Sequence, residues 1–588
     1  MKKALLVILI LTGALALALA GIGIAVGLAR WTLKNRVPSK TVLEVNLETP
    51  FVEDVPAVPT ATVMFQGSPR VRDFVEALER AGRDDRVAGL VAHVGGGGSG
   101  LAVVQEMRDA ITAFRQQGKF AVAFSETFGE VAPGNVGYYL ATAFDEIWLQ
   151  PSGDLNLTGF LAESLFINGA LTKLGVSPRM DHRYEYKNAM DMFTRRKMTA
   201  PHREALTRLI ESQFGQVVQG IATGRDLPQE KVRHLFDAGP LLGQQAQEAG
   251  LVDHMGYWDE VNAHVKEKAG TKAKLLFLDA YLKRAGRPHT KGPTIALIYG
   301  AGPVQRGASG YSPLFGSVSM GSDTVASAFR AAVDQEVAAI LFRVDSPGGS
   351  AVASDTIWRE TVRAKEKGIP VIVSMGNVAA SGGYWVSMDA DRIVAQPGTI
   401  TASIGVLGGK MLTHDFWDWL GIDWDAVQTS DSATLYSGSF DYTPPEWQAF
   451  QNWLDRIYGD FTSKVAAGRS LPLERVKEIA RGRVWTGEDA LELGLVDELG
   501  GFPTALKLAR EAAGLAADEP IRLRKFPPEK SFWEKWTSPS SSSSDPAAAA
   551  AAVLQILREI QPAARSARQV VAPGARGVLT APALRRVE

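Results

Sequence analysis

A serine set among residues with almost no side chains is the first place in this 588-residue chain where chemistry could be done. Ser381 stands within Ala379, Ala380, Ser381, Gly382 and Gly383. The apolar, β-branched run Val371–Ser374 before it reads as a buried strand, and Tyr384–Met388 after it has helical spacing. On such a turn a substrate backbone can approach closely, and helix N-terminal N–H groups point at developing negative charge. That describes the seat of a nucleophile; a tight turn with an incidental serine is the alternative. A second turn, Asp345-Ser346-Pro347-Gly348-Gly349-Ser350, also follows a strand and precedes a helix, so its glycine N–H groups could serve as oxyanion donors. Neither turn, nor Gly95–Gly100, has the Gly-Lys-Ser/Thr ending or the Rossmann spacing that a nucleotide would need.

A serine nucleophile needs a base. None of the histidines, His93, His182, His202, His234, His254, His264, His289 and His414, stands in a recognisable triad context, and most read as surface residues. No HExxH or clustered His/Asp set suggests a metal, and no cofactor is implied. Lysine is the remaining common base. The chain identifies one because it repeats itself with a period of roughly 245–250 residues. Ala88–Gly100 parallels Ala338–Ser350, Gly137-Tyr138-Tyr139 parallels Gly383-Tyr384-Trp385, and both halves close on Gly-Leu-Val-Asp, at Gly250–Asp253 and Gly494–Asp497. Where the first half has Lys187 the second has Ser437, and where the second has Ser381 the first has Asn135. Each half keeps one member of a possible Ser/Lys pair and lacks the other.

In each half short apolar runs alternate with helical-period segments, which predicts an α/β fold with parallel strands. Pro444–Lys464, with Trp447, Phe450, Trp453, Leu454, Ile457, Tyr458 and Phe461 in one stripe, reads as a long amphipathic helix whose aromatics serve the core or a subunit contact. Its counterpart is Ala200–Ile221. The expected organisation is an anchor with flanks over 1–36, a first repeat over 37–268, a linker over 269–293, a second repeat over 294–530, and a Ser/Ala/Pro-rich tail over 531–588, largely without structure.

Length alone calls for several domains. The net charge of −1 gives no hint of a nucleic-acid partner. The absence of cysteine excludes disulfides, thiol catalysis and thiolate metal sites. Ala4–Ala29 is an uncharged, mostly apolar run. As a helix it would be about 39 Å long, enough to cross a hydrocarbon core of ~30 Å. A cleaved signal peptide is the rival reading, since Ala18-Leu19-Ala20 resembles a cleavage site, but apolar residues continue past it. Charge counting leaves the orientation open, with Lys2 and Lys3 on one side and Arg30, Lys34 and Arg36 on the other.

The motifs MGNVAASGGYW, VDSPGGS, TASIG and RYEYKNAM, with the paired GLVD endings, resemble the long, duplicated members of the bacterial signal peptide peptidase (protease IV) family. The resemblance spans roughly residues 1–525; it is specific in the second half and looser in the first. It implies a tandem duplication of a Clp protease/crotonase-like (spiral ββα) domain behind one transmembrane helix. It implies Ser381 as nucleophile, Lys187 as general base, Ser403 as the residue that orients the lysine, and the N–H groups of Gly349 and Gly382 as oxyanion donors. It also implies remnant signal peptides and other extended peptides as substrates, a homotetramer, and soluble domains on the periplasmic or extracellular side of the bacterial inner membrane. A non-catalytic scaffold of the same fold and a crotonase-type acyl-CoA enzyme are the rival functions.

The chemistry makes one further demand. At the ordinary lysine pKa of ~10.4, only about 0.1% of Lys187 would be neutral near pH 7.4. A usable base therefore requires burial beside apolar surface with no carboxylate paired to the amine. Glu185 would share a face with Lys187 in an extended segment, so a local bend is expected to turn it away.

Overall fold

The structure is a computed structural model that describes residues 36–55, 64–65, 67–96, 98–270, 272–312 and 317–527. The apolar run Ala4–Ala29 and the tail over 531–588 lie outside the described residues, and so do the readings made of them. Among the described residues no helix is long and apolar enough to cross a membrane.

Two sheets carry the chain. The first runs, edge to edge, through His254–Met255, Glu146–Leu149, Phe120–Ser125, Val87–His93, Thr41–Asn46 and Lys274–Phe277, with every pairing parallel. The second runs through Val484–Thr486, Ile400–Ala402, Val371–Ala380, Ala339–Ser346, Thr294–Ala301 and Arg522–Phe526, and only its Val484–Thr486 edge is antiparallel. The strands are near-continuous apolar runs because both faces of a parallel sheet are covered. In the first sheet Val42, Val91, Val122 and Phe124 meet Val261 and Val265 of the helix Trp258–Ala269. In the second, Ile295, Leu297, Ala339, Leu341 and Ile372 meet Leu506 and Ala509 of the helix Phe502–Ala512. The opposite faces hold the two larger cores.

The repeat read from the sequence has matching hydrogen bonds in the two halves. The Tyr138 hydroxyl donates to the Leu251 carbonyl at 2.6 Å, and the Tyr384 hydroxyl donates to the Leu495 carbonyl at 2.9 Å. Arg225 pairs with Asp253 and Arg469 with Asp497, both at 2.6 Å. Each aspartate also accepts a backbone N–H at 2.7 Å, from Ile147 and Ile393 respectively.

One expected boundary is corrected. The segment over 269–293 is not a linker: Lys274–Phe277 extends the first sheet in parallel beside Thr41–Asn46, and the helix Leu278–Ala285 packs on the helix Val71–Gly82. Its Lys, Gly and Pro content conceals five core residues, Ala273, Leu276, Leu278, Tyr281 and Leu282. Arg522–Phe526 does the same beside Thr294–Ala301 in the second half. The two long helices form as read, Ala200–Arg225 and Pro444–Gly468, each begun by a threonine, Thr199 or Thr443, whose side chain accepts a backbone N–H. Leu454, Ile457, Tyr458 and Phe461 are core, whereas Trp453 within the stripe is 42% exposed.

The halves are clasped through a buried charge cluster. Arg343, on a central strand of the second sheet, is 2% exposed; it donates to both carboxylate oxygens of Glu53 at 2.9 and 2.7 Å and to Glu106 at 2.7 Å. Its remaining N–H group reaches the Ser374 hydroxyl at 2.8 Å, and Glu106 also accepts the Phe502 N–H at 2.7 Å. Both glutamates belong to the first half. A buried pair of this kind contributes little net stability, but removing one partner strands charge in a low-dielectric interior. Arg343→Leu is therefore expected to destabilise the protein by about 3–5 kcal/mol, read from chemical denaturation at neutral pH. A loss below about 1 kcal/mol would show that the clasp does not hold the halves together.

Candidate active site

The strand Val371–Ala380 forks: Ile372–Ser374 pair with Arg392–Val394, whereas Val378–Ala380 pair with Ile400–Ala402. At its end the chain turns into the short helix Gly382–Trp385 with Ser381 at φ 54°, ψ −118°. That is an unfavourable conformation for a residue with a Cβ. It is held because the Ser381 N–H donates to the Ala402 carbonyl at 2.7 Å while its own carbonyl accepts from Tyr384 and Trp385.

The turn over Asp345–Ser350 lies against it. The Gly348 N–H donates to the Ser346 hydroxyl at 3.2 Å and the Gly348 carbonyl accepts from Val304 at 2.9 Å, which fixes the turn. Gly348 has φ 99° and Gly349 φ 154°. A Cβ on Gly348 would fall 2.6 Å from the Gly382 nitrogen, and one on Gly382 would fall 3.0 Å from the Gly349 nitrogen. The two amides thus sit side by side beneath Ser381, and among the described residues neither N–H has a protein acceptor.

Lys187 arrives from the other half of the chain. Its amine lies 3.1 Å from the Ser381 hydroxyl oxygen, 2.9 Å from the Ser403 carbonyl and 3.0 Å from the Ser403 hydroxyl. The side chain is 6% exposed, and burial alone pulls its pKa down to about 8. About a fifth of the amine would then be neutral near pH 7.4. Neutral Lys187 has two N–H groups for the two Ser403 oxygens and a lone pair for the Ser381 hydroxyl proton. Glu185 does turn away: Tyr184 has φ 65°, and Glu185 pairs with Arg481 at 2.7 Å. Asp191 faces His202 at 3.3 Å.

The structure therefore brings together Ser381, Lys187, Ser403, Gly349 and Gly382, the five residues named from the sequence. Asn135 takes the Ser381 position in the first half, where its amide donates to the Gly159 carbonyl and accepts the Thr158 N–H. No histidine hydrogen-bonds to Lys187 or Ser381 among the described residues. Contrary to expectation, His93, His182, His202, His264 and His289 are half-buried rather than on the surface, several of them against carboxylates. The one possible metal-ligand grouping among the described residues, His414, Asp415 and Asp418, is exposed.

Sequence reading missed the seat of the lysine. The Tyr186 N–H donates to the Arg481 carbonyl, and Gly482 (φ 81°) lies so close that a Cβ there would stand 2.5 Å from the Lys187 Cβ. Five of the eight non-glycine residues with positive φ among the described residues surround this site: Tyr184, Ser381, Ala402, Ser403 and Arg481. Such clustering marks a place where strain is held by its surroundings. The only sequence signal was a glycine between two arginines, with nothing to connect it to Lys187.

A model of peptidase family S49 matches residues 114–272 and 363–516. The chloroplastic serine protease SPPA of Arabidopsis thaliana is 31% identical over 456 residues, covering 76% of this chain and 66% of that protein. Protease 4 of Salmonella typhi is 34% identical (75% of this chain, 72% of that one), and protease 4 of Haemophilus influenzae is 31% identical (76% and 74%). A ClpP1 mutant from Listeria monocytogenes aligns with 36% of this chain at 14% identity and a TM-score of 0.24, too low to bear on the fold.

Burying a lysine has a thermodynamic signature. With a folded pKa of about 8 against an ordinary 10.5, the penalty is fully present below pH 8 and disappears as pH rises through 10.5. Lys187→Met is expected to be more stable than the parent by about 1–3 kcal/mol at pH 7, with the gap closing toward pH 10.5. Denaturant titrations at the two pH values check this; equal stability at pH 7 would mean that the amine is not buried charged.

Proposed function

We propose, starting from a chain that belongs to peptidase family S49 and is a serine peptidase hydrolysing peptide bonds, that Ser381 and Lys187 form its catalytic dyad. The carrying observation is the buried amine 3.1 Å from the serine hydroxyl with no carboxylate beside it among the described residues. Lys187 takes the Ser381 proton as the oxygen attacks a peptide carbonyl. Ser403 accepts the remaining amine N–H groups and aims the lone pair. The N–H groups of Gly349 and Gly382 receive the oxyanion. Collapse expels the amine with the proton from Lys187, and water, deprotonated by the same amine, hydrolyses the acyl-enzyme. A parallel sheet in each half, with matching tyrosine hydrogen bonds, supports a Clp protease/crotonase-like (spiral ββα) fold in each repeat. The family assignment leaves the acyl-CoA and scaffold readings without support.

The substrates we infer are extended peptides, cleaved signal peptides foremost, met at a membrane to which Ala4–Ala29 anchors the enzyme with its bulk on the periplasmic or extracellular side. We also infer a homo-oligomer, a tetramer in keeping with the family resemblance. Support comes from the repeat itself. Leu407–Leu412 of the second half pairs antiparallel with Ser177–His182 of the first. By the repeat offset of 246, set by Leu174-Gly175 against Leu420-Gly421, the equivalents of these strands are residues 161–166 and 423–428. Among the described residues neither segment has a strand partner, and they carry exposed Leu161, Leu165, Trp424 and Val427. One chain's 161–166 can pair with the next chain's 423–428, a head-to-tail contact of the kind from which closed rings are built.

A fluorophosphonate probe should label the folded protein, with labelling rising toward pH 8 and above, and neither Ser381→Ala nor Lys187→Ala should label. An unlabelled parent, or a labelled Ser381→Ala, would overturn the dyad. Val427→Lys should lower the molar mass measured by light scattering to that of a monomer; a monomeric parent would overturn the oligomer.

A further inference from the structure

The nucleophile strand contains a defect at a telling place. Its pairing with Ala339–Ser346 runs in register from Ile340↔Val371 to Val344↔Met375, then resumes at Ser346↔Ala379. Gly376, Asn377 and Val378 thus bulge opposite a single residue, Asp345. Bulges re-aim the residues that follow them, and the residue re-aimed here is Ser381. The bulge is tied on both sides. The Asp345 carboxylate accepts the Val378 N–H at 2.9 Å, and the Asn377 side-chain oxygen accepts the Val103 N–H at 3.1 Å from the first half's helix Leu101–Gln116.

Asp345 also begins the turn that ends in Gly349. Its carbonyl accepts the Gly302 N–H at 2.8 Å, and the neighbouring Ser346 hydroxyl accepts the Gly348 N–H. One residue therefore grips the strand that carries the nucleophile and the turn that carries an oxyanion donor. A Cβ on Gly376 would lie 2.9 Å from the Asp345 Cβ and 3.0 Å from Glu53, so the bulge has no slack.

We propose that Asp345 is a positioning residue whose carboxylate, when ionised, holds the Gly376–Val378 bulge and so sets the distance between Ser381 and the Gly349 and Gly382 amides. This rests on the assignment of Ser381, Lys187 and the two amides given above.

The charges around Asp345 make this grip sensitive to acid. Glu53 and Asp54 face it from the first half, with Asp54 paired to Lys525 at 2.7 Å. Arg343 lies two residues back on its own strand, committed to Glu53 and Glu106, and Tyr299 lies on the adjacent strand. Burial first, and the Glu53 charge second, push the Asp345 carboxyl up to about 6, against the pull of the Val378 N–H and of Arg343. Protonation replaces a charge-assisted hydrogen bond by a neutral one of roughly half the strength.

The test is the pH dependence of kcat for peptide hydrolysis by the full chain, run beside fluorophosphonate labelling. In the parent, loss of neutral Lys187 below pH 8 gives a slope of one in log kcat; protonation of Asp345 should add a further step of about tenfold centred near pH 6. Asp345→Asn mimics the protonated side chain. It should cost about tenfold in kcat at pH 8 with KM little changed, and it should lack the step. An Asp345→Asn profile that keeps the parent's step overturns the proposal. If that variant fails to fold, the parent decides: an unbroken slope of one from pH 8 to 5 overturns it. A parent that neither cleaves nor labels overturns the dyad, and this inference with it, whereas a labelled parent without the step overturns this inference alone.

Discussion

Everything in this molecule that looks deliberate bears on the desolvation of one amine. Among the described residues Lys187 is buried with no counter-charge, and its amine is met by two oxygens of Ser403 and the hydroxyl of Ser381. A charged lysine in that place is costly, so its proton is held loosely. A salt bridge to the amine would undo the effect, and the structure removes the nearest one by bending at Tyr184 and giving Glu185 to Arg481. In the proposed mechanism this is how an otherwise weak nucleophile is activated near neutral pH without a histidine.

That arrangement needs two parts of the chain held at fixed separation. Lys187 and Ser381 come from different repeats, so the interface between repeats is part of the site. The Arg343–Glu53–Glu106 cluster, the Asn377–Val103 hydrogen bond and the antiparallel ribbon of Leu407–Leu412 with Ser177–His182 all cross that interface. The Tyr186–Arg481 bond and the contact with Gly482 set the lysine itself. Asn135 stands at the Ser381 position of the first half and Ser437 at the Lys187 position of the second, so neither half holds both groups.

The backbone around the site is strained, and the strain is spread over five residues with positive φ rather than concentrated in one. Glycine could adopt those angles freely, but Ser381 and Ser403 must carry side chains. Their conformations persist because hydrogen bonds from neighbouring strands over-determine them, as the Ser381–Ala402 and Ser403–Arg483 backbone bonds do.

How much of this was legible follows from how far each signal reaches along the chain. Short apolar runs marked the strands, and a stripe of apolar residues at helical spacing marked the long helix Pro444–Lys464 and, through the repeat, its counterpart. The reciprocal exchange of Asn135 for Ser381 and Lys187 for Ser437 singled out the two chemical groups, because a duplicated chain carries its own comparison. The segment over 269–293 reads as a linker because its polar composition hides the five core residues it buries. The lysine's pKa, the pairing of Glu185 with Arg481, the grip of Asp345 on the bulge and the fit of Gly482 against Lys187 were decided only by tertiary structure. Each depends on atoms that lie within a few ångströms in space but, in most cases, tens to hundreds of residues apart in sequence. Residue type alone determined that Ser381 and Lys187 could react; burial and close packing decided that the lysine can give up its proton.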